Sequence, residues 1–246
     1  MSEILISIEN ISKRYKGAED FSLRNVSLSI LNGDKFGILG PNGAGKTTLV
    51  SILCGITEAT HGNISINIPH PENIKKQIGF VPQDFAFYEE LTANQNLEYF
   101  GALYSISKKN IKTRINDLLS ILGLLQVANK KVKTYSGGMK RRLNLAIGII
   151  HNPTILFLDE PTVGIDIQSK NAILNFLNEL NANGTTIIYT SHHLSEAEHF
   201  CNNIAILDSG KVIANNTIEG LKQEYNSQNL KEVVLHLTGE GYRDNV

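Results

Sequence analysis

Residues 40–48 carry the side chains and glycines that bind a polyphosphate. The segment lies between an apolar strand pattern and an apolar helix pattern, and it reads Gly40, Pro41, Asn42, Gly43, Ala44, Gly45, Lys46, Thr47 and Thr48. Glycines let backbone N–H groups converge on phosphate oxygens, and the following helix adds its unpaired amides and the positive end of its dipole. In such a loop Lys46 reaches the terminal phosphates, while Thr47 offers a hydroxyl to Mg²⁺. A glycine-rich turn that only caps a buried helix is the alternative, but the lysine and threonine in register favour binding of ATP or GTP.

Two acids end a later apolar strand pattern. The run Ile155–Leu158 is followed directly by Asp159 and Glu160. Because ligands of open α/β sheets lie at the carboxyl ends of strands, we expect both acids beside the phosphate loop. Asp159 would then hold Mg²⁺ through water, and Glu160 would polarise an attacking water as general base. The alternative is an ordinary strand end with two solvated acids.

A third polar segment precedes a helix pattern. Ser136, Gly137 and Gly138 come before an apolar helix face made of Leu143, Ala146, Ile147 and Ile150. We interpret this as a second helix N-terminus that receives an anion, reinforced by the basic run Lys140–Arg142. Taken alone the pattern is weak, because Ser-Gly-Gly is common at ordinary helix starts and basic runs usually face solvent.

The elements that position these residues follow from hydrophobic periodicity. Alternation in three stretches predicts half-buried antiparallel strands, and these stretches are 4–8, 26–30 and 64–68. A short apolar strand, Lys35–Leu39, leads into the phosphate loop. Helix patterns alternate with later strand patterns, which favours a mainly parallel sheet with helices on both faces; those strand patterns are 154–158, 185–190, 204–207 and 211–214.

The middle of the chain has a helical pattern instead. Between Asp84 and His151 a capping box formed by Thr92 and Gln95 opens one helix, and Ser107 opens another. Later in the chain, Ser195 and Glu198 predict a further capping box, and Val233, Leu235 and Leu237 suggest one last strand.

The predicted fold class is therefore α/β. We expect a P-loop NTPase core, of mainly parallel sheet with flanking helices, together with an N-terminal antiparallel β subdomain and an all-helical insert. The whole chain, 1–246, is interpreted as one ATPase domain. Its nucleotide-binding core would comprise 1–83 and 152–246, and the helical subdomain about 84–151.

Composition limits the classes of partner and of cellular compartment that this chain is expected to have. With 246 residues and a formal net charge of −1, the chain carries no basic excess that favours nucleic acid. Cys54 and Cys201 lack metal-like spacing and are expected to be buried free thiols of a reducing compartment. The N-terminus resembles no secretory signal, and no apolar run approaches the roughly 18 residues of a membrane span. We expect a cytoplasmic protein whose membrane role, if any, comes through a partner.

The ordered set of motifs resembles the ATPase subunit of an ABC transporter. The set comprises the phosphate loop, Gly79–Gln83, Ser136–Gly138, Leu158–Glu160, Gly164–Asp166 and Thr190–His192. With Tyr15, the resemblance covers nearly the whole chain. It implies that Tyr15 stacks on adenine and that Gln83 contacts Mg²⁺ and links the site to the helical insert.

The same resemblance implies roles around the γ-phosphate. Glu160 is similar to the general base, and His192 to the histidine that orients the γ-phosphate and the attacking water. Its neighbour His193 falls one place beyond the family position. Asp166 resembles an acid that crosses to a partner subunit, although it is also a suitable helix N-cap, and both roles are compatible.

One motif departs from the family pattern. The usual Leu-Ser-Gly-Gly-Gln reads Tyr135-Ser-Gly-Gly-Met139 here, so a glutamine side chain is lost while the backbone donors remain. This variant, with the segments Tyr88–Thr92 and Asn96–Phe100, is similar to exporters of drugs, antibiotics, lipids and surface polysaccharides.

The family resemblance also implies partners. Two ATP molecules would lie between two subunits arranged head to tail, the second being another copy of this chain or a paralogous ATPase subunit. A separate integral-membrane permease would dock near Asp84–Leu103 and hold the ATPase on the inner face of the cell membrane. Two alternatives are a soluble ABC ATPase that acts on ribosomes or DNA and a non-enzymatic ATP-binding regulator. The latter is disfavoured by Glu160 and His192.

Overall fold

The computed structural model describes residues 3–69 and 71–239. The chain is organised in two compact units. The first unit contains the described residues up to Glu72 and those from Thr186 onward, and the second unit contains Asn73–Thr185.

Strands and helices are interspersed along the chain, as in an α/β protein. In chain order they are β1 (Ile4–Lys13), β2 (Leu23–Leu31), β3 (Lys35–Leu39), α1 (Lys46–Leu53), β4 (His61–Ile66), α2 (Ile74–Gln77), β5 (Ile78–Val81), α3 (Ala93–Leu103), α4 (Lys108–Ile121), α5 (Gly137–Gly148), β6 (Ile155–Asp159), α6 (Ile167–Ala182), β7 (Thr186–Ser191), α7 (Leu194–Phe200), β8 (Asn203–Asp208), β9 (Lys211–Thr217), α8 (Ile218–Glu224) and α9 (Leu230–Thr238).

The first unit contains the predicted antiparallel sheet, with strand order β2-β1-β4. Ile8 of β1 lies opposite Leu28 of β2 on one side and Ile64 of β4 on the other. In β2 the buried residues Val26, Leu28 and Ile30 alternate with exposed ones, as the period of two requires, whereas β1 buries Ile6 and Ile8 but also their neighbour Leu5. The prediction for this sheet is confirmed.

A second set of strands in the first unit surrounds β3. Strand β3 pairs in parallel with β7 and β8, and β8 pairs antiparallel with β9. Phe36, Ile38 and Leu39 are at most 1% exposed, because β3 has neighbours on both edges. The phosphate loop therefore leaves a rigid, buried strand.

The second unit combines two parallel strands with helices. Strand β5 pairs with β6 in parallel, and every residue of β6 is buried. The helices predicted between Asp84 and His151 are present, and Thr92 and Gln95 form the expected capping box at the start of α3. Ser107 caps α4, and Ser136 caps α5. The predicted bounds of the helical subdomain, about 84–151, stay a prediction.

The last predicted strand is wrong, because 230–238 is the helix α9. Asn229 caps it by accepting a hydrogen bond from the Glu232 N–H at 3.0 Å. The buried residues Leu230, Val233 and Val234 are spaced as one helix face, so the alternation at 233, 235 and 237 was a misleading subset of a helical pattern.

The second capping box is also wrong, because α7 begins at Leu194 with His193 as its N-cap. The Glu198 carboxylate serves other partners: it accepts from the Leu230 N–H at 3.1 Å and lies 2.7 Å from the Lys222 ammonium. Its position in the fold gives it a role in fastening α9 and α8 to α7 that local spacing does not reveal.

Composition led to two expectations, one about the cysteines and one about membrane-spanning helices. Cys201 is buried and Cys54 is only half-buried, and neither forms a disulfide. Burial raises the pKa of the Cys201 thiol. Among the residues that the structure describes, no helix is both long enough and apolar enough to cross a bilayer.

Candidate functional site

The phosphate loop connects β3 to α1. Gly45 occupies the N-cap position of α1 in a left-handed conformation, with φ of 105°. Within the described chain no side chain caps this helix. Because the first N–H groups of a helix lack partners within it, this N-terminus is suited to an anionic ligand.

Glycine is required twice in this loop by close packing. A Cβ at Gly40, where φ is 154°, would lie 2.2 Å from the Leu207 carbonyl oxygen. One at Gly45 would lie 2.7 Å from the Ser22 carbonyl oxygen. The loop is also tied to the β8–β9 turn, since the Gly210 N–H donates to the Ala44 carbonyl at 3.1 Å. These contacts preorganise the loop before any ligand binds.

Lys46 and Thr47 begin α1 in different environments. Lys46 is 5% exposed, and its ammonium donates to the carbonyl oxygens of Gly40 at 2.7 Å and Pro41 at 3.2 Å. The ammonium is thereby held against the loop that would surround a phosphate. Thr47 is exposed. An ammonium held at the loop and an accessible hydroxyl fit a bound polyphosphate with its cation.

His192 and the phosphate loop both follow the carboxyl ends of neighbouring parallel strands. Leu39 pairs with Ser191 in parallel register, so Gly40 and His192 are the next residues of two neighbouring strands. His192 is half-buried, whereas His193 is exposed and donates its backbone N–H to the Ser191 hydroxyl at 2.9 Å. Of the two histidines, His193 is therefore the one that has a structural role, as the N-cap residue of α7.

Tyr15 lies in the loop that follows β1. It is 44% exposed, and the Lys13 ammonium lies 5.0 Å from its ring centroid. The other end of this loop, Ser22, contacts the phosphate loop through the close approach to Gly45. An exposed ring on a loop anchored there is suited to stacking on a planar ligand.

The second unit carries the two acids and Gln83. Val81 of β5 pairs with Leu158 of β6, so Gln83, two residues beyond β5, and Asp159, the last residue of β6, lie at the carboxyl ends of neighbouring strands. Asp159 is 2% exposed and Glu160 is 6% exposed, whereas Gln83 is exposed. Glu160 has a φ of 50°, which is uncommon for a residue with a side chain and frequent at functional sites.

The N-termini of α5 and α6 are packed together within this unit. Ser136 caps α5 by accepting from the Met139 N–H at 3.3 Å. Gly138 contacts α6 so closely that a Cβ would lie 2.4 Å from the Ser169 hydroxyl oxygen. Asp166 caps α6, accepting from the N–H of Ser169 at 2.8 Å and from its hydroxyl at 2.7 Å. These hydrogen bonds lower the pKa of Asp166.

The basic run after Ser-Gly-Gly does not serve as a free anion-binding surface, so that part of the prediction is wrong. Lys140 lies 2.5 Å from the Glu89 carboxylate. The Arg142 guanidinium donates to the Leu122 carbonyl at 2.8 Å. Helix geometry points consecutive residues in different directions, so each cation finds its own partner in the protein.

Arg141 is a residue that motif spacing missed. It is 6% exposed and donates to the Gln83 carbonyl at 2.6 Å and to the Val163 carbonyl at 3.3 Å. Burial lowers the pKa of Arg141, while the charges of Asp84 and Glu160 act in the opposite direction. Arg141 thus joins the segments that follow β5 and β6.

Asn144 fastens the same segment to α5. Its amide donates to the Pro82 carbonyl at 3.0 Å and accepts from the Ala86 N–H at 3.2 Å. Periodicity contained a signal for Arg141: Gly138, Arg141 and Leu145 are spaced as one helix face and are all buried.

Each residue that the sequence assigns to Mg²⁺ carries an oxygen donor of the kind that this cation binds. The described residues contain no group of three or more His, Cys, Asp or Glu side chains that could hold a metal. Mg²⁺ usually takes one or two protein oxygens and completes its shell with water and phosphate. Thr47 in the first unit, and Gln83 and Asp159 in the second, supply donors of this type.

Comparison with known proteins agrees with these features. The family model described as "ABC transporter" matches residues 23–163. A second model, described as "AAA domain, putative AbiEii toxin, Type IV TA system", matches the overlapping stretch 132–198.

Curated relatives cover almost the whole chain. The linearmycin resistance ATP-binding protein LnrL of Bacillus subtilis is 39% identical over 98% of this chain and 76% of its own length. The daunorubicin resistance ATP-binding protein DrrA3 of Streptomyces coeruleorubidus is 36% identical over 98% of this chain and 76% of its own length. Among solved structures, a dimeric ATP-binding cassette, MJ0796, in a post-hydrolysis state with ADP and Pi has a TM-score of 0.78 and 29% identity, over 87% of this chain and 98% of that one.

Proposed function

This chain belongs to the ABC transporter family as an ATP-binding and ATP-hydrolysing subunit, and on that premise we propose that it powers an exporter by dimerising around ATP. The two subunits would associate head to tail, each contributing its phosphate loop to one site and its Ser-Gly-Gly helix to the other. A separately encoded membrane permease would receive the movement. The resistance functions in the names of two relatives support export as the direction.

The observation that carries the proposal is the exposed N-terminus of α5. Ser136 and Gly137 face solvent, while Gly138 is packed against Ser169 and fixes the direction of the helix. A helix N-terminus presented in this way can donate to the γ-phosphate of ATP held by another subunit. The likeness to a dimeric cassette with bound ADP and Pi supports this arrangement.

The family resemblance assigns the hydrolytic roles residue by residue. Lys46 and the first amides of α1 hold the β- and γ-phosphates, and the Tyr15 ring stacks on adenine. Glu160 accepts a proton from the attacking water as the water oxygen bonds to the γ-phosphorus. The bond from that phosphorus to the bridging oxygen breaks, which leaves ADP and Pi. His192 orients the γ-phosphate and the water.

Bound Mg²⁺ would neutralise charge on the phosphate oxygens, and Thr47, Gln83 and Asp159 are the residues that we assign to it. Asp166, held by Ser169 beside Gly138, would lie at the dimer interface. Hydrolysis removes the γ-phosphate that bridges the two subunits, and the like-charged products then favour opening.

The permease is proposed to dock near Asp84–Leu103, which would place the ATPase on the cytoplasmic face of the membrane. This segment exposes large apolar side chains, with Tyr88 at 51% and Leu103 at 63%. Asn144 of α5 accepts from the Ala86 N–H near the start of this segment, and Arg141 of α5 holds the Gln83 carbonyl just before it. Movement of the Ser-Gly-Gly helix would therefore reach the docking segment directly.

A mixing experiment tests the head-to-tail dimer. Lys46→Ala removes the phosphate loop's ammonium, and Ser136→Arg blocks the start of α5, so each variant alone should lose ATPase activity. An equimolar mixture should regain part of the wild-type turnover, because mixed dimers contain one site with both intact parts. As control, Lys46→Ala mixed with the double variant Lys46→Ala/Ser136→Arg should stay inactive. Absence of recovery in the first mixture, with dimers present, would contradict the head-to-tail dimer.

Purification from the native host tests the permease. A tagged chain should bring down a polytopic membrane protein, and Leu103→Glu should abolish that association by placing a charge in the apolar docking segment. Ile121→Glu, at a residue 56% exposed elsewhere in the second unit, serves as the matched control and should keep it. Recovery of ribosomes or DNA in place of a membrane protein would favour the soluble alternative.

A further inference from the structure

A buried hydrogen bond spans the turn that contains His192. The Tyr189 hydroxyl, on β7, donates to the Glu196 carboxylate in the first turn of α7. Tyr189 is 0% exposed and Glu196 is 5% exposed. Both residues lie in the first unit, and His192 lies between them in the chain. The bond therefore closes a short loop around this histidine.

We propose that the Tyr189–Glu196 hydrogen bond positions His192 for hydrolysis. Both are positioning residues, since neither is assigned any contact with ATP. This inference rests on the proposed function, in which His192 orients the γ-phosphate and the attacking water.

Helix α7 cannot fix its own direction. It has seven residues, and its N-cap, His193, makes no side-chain capping hydrogen bond among the described residues. Isolated helices of this length are unstable in water, so the direction of α7 depends on tertiary contacts. A contact in its first turn fixes the position of the turn just before it.

Tyr189 also touches both ends of α7. Its hydroxyl bonds to Glu196 near the start, and its ring packs against Phe200, the last residue, with centroids 5.1 Å apart. The two contacts restrict the orientation of the helix relative to β7, in addition to the Glu198 contacts that fasten α7 to α8 and α9. Since β7 is paired with β3 in register, the turn is held relative to the phosphate loop.

The hydrogen bond between Tyr189 and Glu196 is chemically specific. Loss of a hydrogen-bond donor destabilises a buried carboxylate, so the tyrosine hydroxyl favours the arrangement of the turn in which it reaches Glu196. Tyr189→Phe removes only the hydroxyl and keeps the ring that packs on Phe200. It is therefore a clean probe of the hydrogen bond.

The decisive experiment is a kinetic double-mutant cycle with His192. His192→Ala should lower kcat by about 100-fold, in the range for a positioned proton-transfer or orienting group. Tyr189→Phe should lower kcat by about tenfold with KM for ATP unchanged, because small displacements of reacting groups are costly while binding depends on the phosphate loop. In the His192→Ala background, Tyr189→Phe should have no further effect on kcat.

Three variants separate positioning from folding. Glu196→Gln keeps an acceptor for the tyrosine and should keep kcat within about twofold. Tyr225→Phe makes the same deletion at another tyrosine and should change nothing. The pair Tyr189→Phe/Glu196→Leu removes both polar groups, so it should stay folded while kcat remains low. This pair replaces Tyr189→Phe in the cycle if that variant is unfolded.

The outcomes distinguish the inference from the proposed function. If His192→Ala keeps wild-type turnover, the assigned role of His192 fails, and the inference fails with it. If His192→Ala is slow but Tyr189→Phe is as fast as wild type, only the inference fails. Equal losses from Tyr189→Phe with and without His192, or recovery of kcat in the apolar pair, would show a merely structural bond.

Discussion

Replacing Glu160 by glutamine is expected to slow ATP turnover by about 10²- to 10⁴-fold while ATP still binds. The amide has nearly the shape of the carboxylate but cannot accept the proton of the attacking water. Glu160 is 6% exposed, so bulk water is a poor substitute for its base. Steady-state turnover and the Kd for ATP should be measured on the same preparation. Glu179→Gln, on the exposed side of α6, is the matched control.

The same variant should accumulate an ATP-bound dimer. When hydrolysis is blocked, the γ-phosphate continues to bridge the two subunits. Gel filtration with ATP and Mg²⁺ should therefore show Glu160→Gln at twice the monomer mass, whereas Glu179→Gln should return to monomer as ATP is consumed. A Glu160→Gln protein that stays monomeric at saturating ATP would contradict the head-to-tail arrangement.

Replacing Lys46 by alanine is expected to weaken ATP binding by two to three orders of magnitude. Its ammonium is held by the Gly40 and Pro41 carbonyls and is 5% exposed, so water screens it poorly. Removing one partner of a buried charge pair costs about 2–5 kcal/mol, and each 1.4 kcal/mol is about tenfold in affinity. Calorimetric titration with ATP should measure the loss.

Lys231→Ala, at an exposed position of α9, is the matched control for charge and should bind ATP normally. Thermal unfolding should accompany the titration, because Lys46→Ala also leaves two loop carbonyls without their donor. Near-normal affinity in folded Lys46→Ala would refute the assignment of 40–48 as the phosphate loop.

Sequence patterns predicted the α/β fold and the family correctly where the signal is local. The alternation at Ile6 and Ile8 belongs to a half-buried strand, and the Thr92–Gln95 capping box starts α3 as expected. The family and the ATPase activity are confirmed by the comparisons. The roles of individual site residues stay predictions, to be decided by the variants above.

The wrong predictions share a physical cause. Val233 and Leu235 are compatible with a strand period and with a helix period, and the packing of one face of α9 decides between them. Glu198 has the spacing of a capping residue, but the Lys222 ammonium and the Leu230 N–H compete for its carboxylate. Local spacing cannot weigh a partner that is distant in the chain.

The sequence by itself determined the chemistry that lies within a few residues: the phosphate loop at 40–48, the acids that end β6 and the serine that starts α5. These depend on backbone geometry and helix termini, which neighbouring residues control. Only the tertiary structure decided that Arg141 holds the Gln83 carbonyl and that Tyr189 reaches Glu196 beside His192. Such bonds depend on which buried faces meet, and burial makes a polar group's partner a matter of the whole fold.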